Sequence, residues 1–245
     1  MAAEQAKRRQ ELIKWLGTGL LLAVFAVVAL IIINNREGSD SPGSNADVAT
    51  VVAAKPLPEG IEQNGNVLGD PNAPVLIVEY GDYQCPFCKK FAVEDYPTLI
   101  EEYIAAGKVR LEYRQFPIIG SNSDGSIDQS GESFKAAEAA ACAQDQGKFW
   151  PMHELLYENS LGEFKGSFTI DRLKRIAALI PDLDQSAFAS CLESGTHAQD
   201  VLASASTATT SGVNSTPTFI VNGQQVSGAD YGRLKSVIDA KLSEQ

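Results

Sequence analysis

VLIVEYGDYQCPFC, residues 75–88, is a short β-branched run that ends in two cysteines at the head of a helix-compatible segment. The run 75–80 follows Pro74, is apolar on both sides and has the length of a buried strand. From Pro86 to about Ala106 the residues suit a helix, which Gly107 stops. Residues 108–116, KVRLEYRQF, then alternate polar and apolar as a half-buried strand does. Strand, helix, strand in this spacing predicts a right-handed parallel unit with Cys85 at the helix amino terminus. Backbone N–H groups there have no intrahelical acceptor and the helix dipole is positive, so a sulfur anion is stabilised. A cysteine so placed has a lowered pKa, and its thiolate is the reactive form. Pro86 costs nothing at the first helical position, where the missing N–H has no partner to lose. Cys88 lies one turn on, within bonding reach. Cys85 is expected to be the more exposed, exchanging sulfur and Cys88 the shielded, resolving one.

A bare CxxC is also half of a zinc site. The remaining cysteines, Cys142 and Cys191, are far apart, and the two histidines, His153 and His197, stand in no ligand pattern. Redox chemistry is therefore the favoured reading, with no metal and no cofactor expected. His153 and His197 read as packing or surface residues, and Phe149, Trp150 and Tyr157 as core.

Further along, the pattern turns helical over about 129–211: an Ala-rich segment 129–145, then 148–159, 169–180 ended by Pro181, 186–193 and 196–210. Strand character returns at 218–221, turns at Asn222-Gly223 and resumes at 224–226, a hairpin signal. Residues 231–242 place Leu234, Val237, Ile238 and Leu242 on one helix face. Thr216-Pro217 opens the hairpin. Taken alone it reads as a trans proline at a strand edge. Together with the CxxC and the hairpin, a cis bond facing the cysteines is favoured.

Toward the amino terminus, residues 16–33 (LGTGLLLAVFAVVALIII) carry no charge and follow Lys7, Arg8, Arg9 and Lys14. Eighteen residues make roughly 27 Å of helix, close to the hydrocarbon thickness. Basic residues stay on the cytoplasmic side, so residues 1–15 are expected inside, 16–33 as a single transmembrane anchor, and the rest outside. A cleaved secretory signal is the competing reading, and leads to the same compartment. Residues 34–60, rich in Gly, Ser and Pro, read as a flexible linker, and 61–245 as one folded domain. Beyond residue 36 the chain carries 15 basic and 29 acidic side chains, a net of −14 that speaks against nucleic-acid binding. In an oxidising compartment Cys142 and Cys191 are expected to form a structural disulfide, with two buried thiols the alternative and a second redox pair a lesser one.

VLGDPNAPVLIVEYGDYQCPFC, FWPMHELLYEN and GVNSTPTFIVNG resemble the DsbA-like thiol–disulfide oxidoreductases, in their membrane-anchored bacterial branch. The resemblance runs over most of residues 61–242. It implies an α/β thioredoxin fold with an inserted all-helical subdomain, redox-active Cys85 and Cys88, and a cis Thr216-Pro217 bond. It also implies a substrate surface formed by Pro86, Phe87, Thr216 and Pro217, and a buried acid beneath the pair at Glu79. From the strand alone, Glu79 could equally face solvent. The best-known members carry His where this chain has Phe87, which removes one polar contributor to thiolate stability. The implied function is an extracytoplasmic dithiol oxidase acting on thiol-containing secreted or membrane proteins and reoxidised by a membrane quinone-linked protein. A membrane-tethered reductase or isomerase, and a non-catalytic peptide-binding or chaperone module, remain as alternatives.

Overall fold

The computed structural model describes residues 50–244. The expected anchor, 16–33, lies outside the described residues. Among the described residues no helix is long and apolar enough to cross a membrane.

Six strands form one sheet: β1 (Gln63–Asn64), β2 (Val67–Leu68), β3 (Val75–Gly81), β4 (Val109–Gln115), β5 (Thr218–Val221) and β6 (Gln224–Ser227), in the order β1-β2-β4-β3-β5-β6. β3 is central, parallel to β4 with Ile77 opposite Leu111, and antiparallel to β5 with Glu79 opposite Phe219. Both faces of β3 are covered, which is why it reads as a continuous apolar run. Val75 and Ile77 enter the main core with Phe91, Tyr113 and Phe219, whereas Val78 and Tyr80 pack with Phe116, Ala205 and Ala208 on the other side. Side chains alternate across a strand, so Glu79 shares the face of Val75 and Ile77 and points into the main core.

The β3–β4 crossover is helical throughout but not one regular helix. It runs as α1 (Pro86–Lys90), a π segment (Phe91–Asp95), α2 (Tyr96–Leu99) and a second π segment (Ile100–Ile104). Pro97 is the cause near the first of these: it has no N–H to donate, and its ring crowds the carbonyl four residues back, which the wider turn before it relieves.

The insertion comprises α3 (Glu132–Gln144), α4 (Phe149–Glu158), α5 (Ile170–Ala177), α6 (Gln185–Ser194) and α7 (Ala198–Thr210). Alanines 136, 137, 139, 140 and 143 of α3 are all buried, and such small side chains allow neighbouring helices to approach closely. Thr169 and Asp184 cap α5 and α6 through their side-chain oxygens, and Gly195, at φ 64°, closes α6 in the left-handed region. α5 stops at Ala177 instead of running on to Ile180, because residues 178–180 turn ahead of Pro181. Cys142 on α3 and Cys191 on α6 are bonded as a disulfide.

β5 and β6 meet at Asn222 and Gly223, both at positive φ, as a tight hairpin turn requires. The Asn222 side chain accepts from Leu76 N–H (2.8 Å) and donates to the Pro74 carbonyl (3.1 Å), pinning the hairpin to the start of β3. A final helix, α8 (Tyr231–Ser243), is capped by Asp230.

The linker reading does not hold for its last part. Val51, Ala54 and Leu57 pack on the main core. Asn159 fixes this segment by accepting from Val52 N–H and donating to Val52 C=O, both at 2.8 Å. Scattered apolar residues between prolines form no periodic pattern, yet an extended segment can still be stapled by one amide side chain.

Candidate active site

Gly81 ends β3 with no room for a side chain: a Cβ there would lie 2.5 Å from the Tyr113 hydroxyl. The chain turns through Asp82, Tyr83 and Gln84, and Cys85 becomes the N-cap of α1, in an extended conformation with Pro86 following. Cys85 is 4% exposed and Cys88 0%, so the first sulfur is the more open only by a narrow margin. Cover comes from the Thr216–Pro217 segment, whose peptide bond is cis; the Cys85 thiol donates to the Thr216 carbonyl at 3.4 Å. The open shoulder is Phe87, 62% exposed, beside exposed Pro86.

Both cysteines are free thiols, with opposite electrostatics. The Cys85 pKa is lowered to about 6, chiefly by a hydrogen bond from the Cys88 thiol. Burial opposes this, and the Thr216 side chain and the N–H groups of Cys88 and Phe87 reinforce it. Those two N–H groups belong to the unsatisfied first turn of α1. Cys88 is pushed up, by burial first, then by its hydrogen bond to Cys85 and the nearby charges of Cys85 and Glu79. At neutral pH Cys85 is therefore mostly thiolate while Cys88 keeps its proton.

Glu79, 2% exposed, has its pKa raised to about 8, by burial first and then by the charges of Glu154 and Cys85. Aromatic rings crowd this part of the core: Tyr83, Tyr113 and Tyr157 pack together, and the hydroxyls of Tyr113 and Tyr157 are hydrogen-bonded at 2.7 Å. His153 packs edge-on or tilted against Tyr83, Tyr96, Tyr113 and Trp150, as a core residue. His197 lies elsewhere, between Asp145 and Asp200 at 2.8 Å each, beside the Cys142–Cys191 bridge. Because both sulfurs are bonded to each other, that cluster has no thiolate to offer a metal.

Sequence reasoning overlooked a second buried carboxylate. Asp82 is 1% exposed, and its oxygens accept from Gln84 N–H (2.8 Å), Ile119 N–H (2.8 Å) and the Ser133 hydroxyl (2.7 Å). Its pKa is nevertheless raised to about 7, because burial outweighs these bonds. Gln84 extends the network, donating to Ser133 at 3.0 Å and accepting from Phe164 N–H at 2.7 Å. The bond from Asp82 to the N–H two residues on is a local turn signature, legible in principle from Asp-x-Gln before the cysteine. Lys89, after Cys88, donates to the Ser160 carbonyl at 2.7 Å and ties α1 to the end of α4.

Comparison with known proteins agrees with this geometry. The thioredoxin family model matches residues 62–240. The chain is 33% identical over 178 residues to the probable disulfide bond formation protein D of Bacillus cereus, covering 72% of this chain and 78% of that protein. Among solved structures it resembles oxidised BdbD from Bacillus subtilis, with TM-score 0.65 and 26% identity over 79% of this chain and 98% of that one. It also resembles α-DsbA1 from Wolbachia pipientis, with TM-score 0.61 and 26% identity over 77% and 94%. A parallel β3–β4 unit, an antiparallel hairpin, a helical insertion and these matches together make the chain a member of the thioredoxin superfamily, a DsbA-like thiol–disulfide oxidoreductase.

Proposed function

We propose that the chain is a dithiol oxidase that introduces disulfides into secreted or membrane proteins outside the cytoplasm, through Cys85 and Cys88. The observation that carries this reading is the split between the two thiols at the head of α1: Cys85 is lowered to about 6 and Cys88 is raised. In the oxidised pair, a substrate thiolate attacks the Cys85 sulfur. The Cys85–Cys88 bond breaks, and Cys88 leaves as a thiolate and takes up a proton, for which Glu79 is the nearby donor. A second substrate thiolate then attacks the substrate sulfur of the mixed disulfide and expels Cys85 as a stable thiolate. Two electrons have passed from the substrate to the pair, and a low leaving-group pKa speeds the last step. The Thr216–Pro217 segment, Pro86 and Phe87 would line the substrate chain against Cys85. Residues 16–33 would anchor the domain, with residues 1–15 inside, and a membrane quinone-linked protein would take the electrons onward. The Cys142–Cys191 bridge is structural in this reading.

A reductase working in the opposite direction is the second reading, favoured by Glu79 and Asp82. Two buried carboxylates near the pair oppose thiolate formation and so weaken it as an oxidant. Equilibration of the full-length chain in glutathione buffers decides between them. A potential near about −120 mV supports the oxidase, whereas one near about −270 mV gives the reductase. A Cys88→Ser variant adds the mechanistic test: an exchanging protein accumulates mixed disulfides through Cys85, and their absence would leave a peptide-binding module.

A further inference from the structure

We propose that Asp82 is a positioning residue for the exchange, holding the turn that presents Cys85 and setting, through its buried charge, how strongly the pair oxidises. This rests on the reading of Cys85 and Cys88 as the exchanging pair.

Asp82 reaches the first cysteine through its backbone: its carbonyl accepts from Cys85 N–H at 3.0 Å. Its carboxylate joins three separate parts of the fold: the β3–α1 turn at Gln84, the loop after β4 at Ile119, and the first turn of α3 at Ser133. Through Ser133 and Gln84 the helical insertion is thus fastened to the turn before Cys85, and Gln84 holds the 159–168 loop at Phe164 as well.

A neutral acceptor would hold most of this turn. An Asn or Ser side chain at position 82 could still accept from Gln84 N–H, as such residues do in tight turns. A carboxylate that is 1% exposed and bonded only to neutral donors is the costlier choice. What the charge adds is an unfavourable interaction with Cys85, three residues on and tied to the Asp82 carbonyl, because like charges in a buried turn disfavour each other. The reduced pair is then less stable, and the disulfide is held back from oxidising its partners as strongly as α1 alone would allow.

The test is the equilibrium in which the Cys85–Cys88 disulfide takes two electrons and two protons from two glutathione thiols, giving the dithiol and one glutathione disulfide. It is measured at pH 8 on the full-length parent, Asp82→Asn and Asp82→Ser, together with the Cys85 thiolate titration at 240 nm and the thermal midpoint. Both variants are expected to move the constant about 10-fold toward the reduced pair, about 30 mV for a two-electron couple, and to lower the Cys85 titration midpoint. A role confined to structure lowers the thermal midpoint and leaves the constant within twofold and the titration unmoved; that result overturns the inference. Should Asp82→Asn not fold, Asp82→Ser carries the same expectation and the same refutation. A parent whose pair never equilibrates overturns the functional reading, and this inference with it. A parent that equilibrates alongside unshifted variants overturns this inference alone.

Discussion

Cys85 and Cys88 stand three positions apart at the head of α1, as free thiols of opposed acidity. Cys142 and Cys191 stand 49 positions apart, joined across α3 and α6. The element is the same in both places, and the surroundings differ in kind. The first pair has helix-terminal N–H groups, the Thr216 segment and two buried carboxylates around it. The second bridges two helices of the insertion, with Cys142 among the alanines of α3 and Cys191 at 3.9 Å from Asp145. A working cysteine needs neighbours that distinguish its charged from its neutral form; a structural one needs only a partner at the right distance.

The largest effect that bears on this contrast is expected from Cys85→Ser. It removes the only sulfur of the first pair with a lowered pKa, and oxidation of a dithiol peptide should fall at least about 1000-fold, as for loss of a nucleophile. The Cys142→Ala/Cys191→Ala double variant should keep that rate within a few-fold. Comparable losses in both would erase the distinction between the pairs.

Glu79→Gln comes next, read through stability against pH. The folded-state pKa of Glu79 is raised to about 8 from an ordinary value near 4.5. The folded state therefore binds the proton more tightly than the unfolded one. Its contribution is fully present below about pH 4.5 and is lost as pH rises through about 8, by at most about 4–5 kcal/mol at about 1.4 kcal/mol per unit. Denaturant titrations between pH 5 and 9 should show a shallower decline for Glu79→Gln. Parallel curves for variant and parent would mean that Glu79 is not the group titrating.

For the bridged pair the expectation is thermodynamic. Opening a loop of about 50 residues costs about 4 kcal/mol on the chain-entropy estimate, an upper figure. Chemical denaturation of the Cys142→Ala/Cys191→Ala variant should give a loss of that order or less, with the Cys85 thiolate titration unmoved. A titration that shifts along with stability would show the insertion to be acting on Cys85.

Phe87→His is the smallest and sharpest probe. Phe87 is exposed and follows Cys85 by two residues, so a polar ring there can support the thiolate without repacking the core. The Cys85 pKa should fall by up to about one unit, or about 1.4 kcal/mol. An unchanged titration would assign the acidity of Cys85 wholly to α1, Cys88 and the Thr216 segment.

Much of this is legible in the sequence. Residues 75–88 carry their strand, their turn and their helix start in adjacent residues, and local steric and electrostatic rules act at that range. Asn222-Gly223 announces its hairpin for the same reason, because two consecutive positive φ angles are cheap for those residues. Where the reading fell short, the deciding contact was remote. The interruption of the β3–β4 helix near Phe91–Asp95 could have been anticipated from Pro97, whereas no local signal announces the second π segment at Ile100–Ile104. The seating of residues 51–57 depends on Asn159, 107 positions from Val52. Asp82 drew no notice in the sequence, because Ile119 and Ser133, which meet its carboxylate, lie 37 and 51 positions away.

By itself the sequence determined the chemistry available: a CxxC with proline at a helix start, a parallel unit around it, a hairpin opened by Thr216-Pro217, and a strongly acidic domain. Those follow from residue type and short spacing, which set backbone preference and the nearest charges. Only the tertiary structure decided that Glu79 faces the core, that Asp82 is buried against Ile119 and Ser133, and that Cys142 lies against Cys191. Burial and long-range pairing depend on which surfaces the fold brings together, and removal from water is what shifts a carboxylate or a thiol.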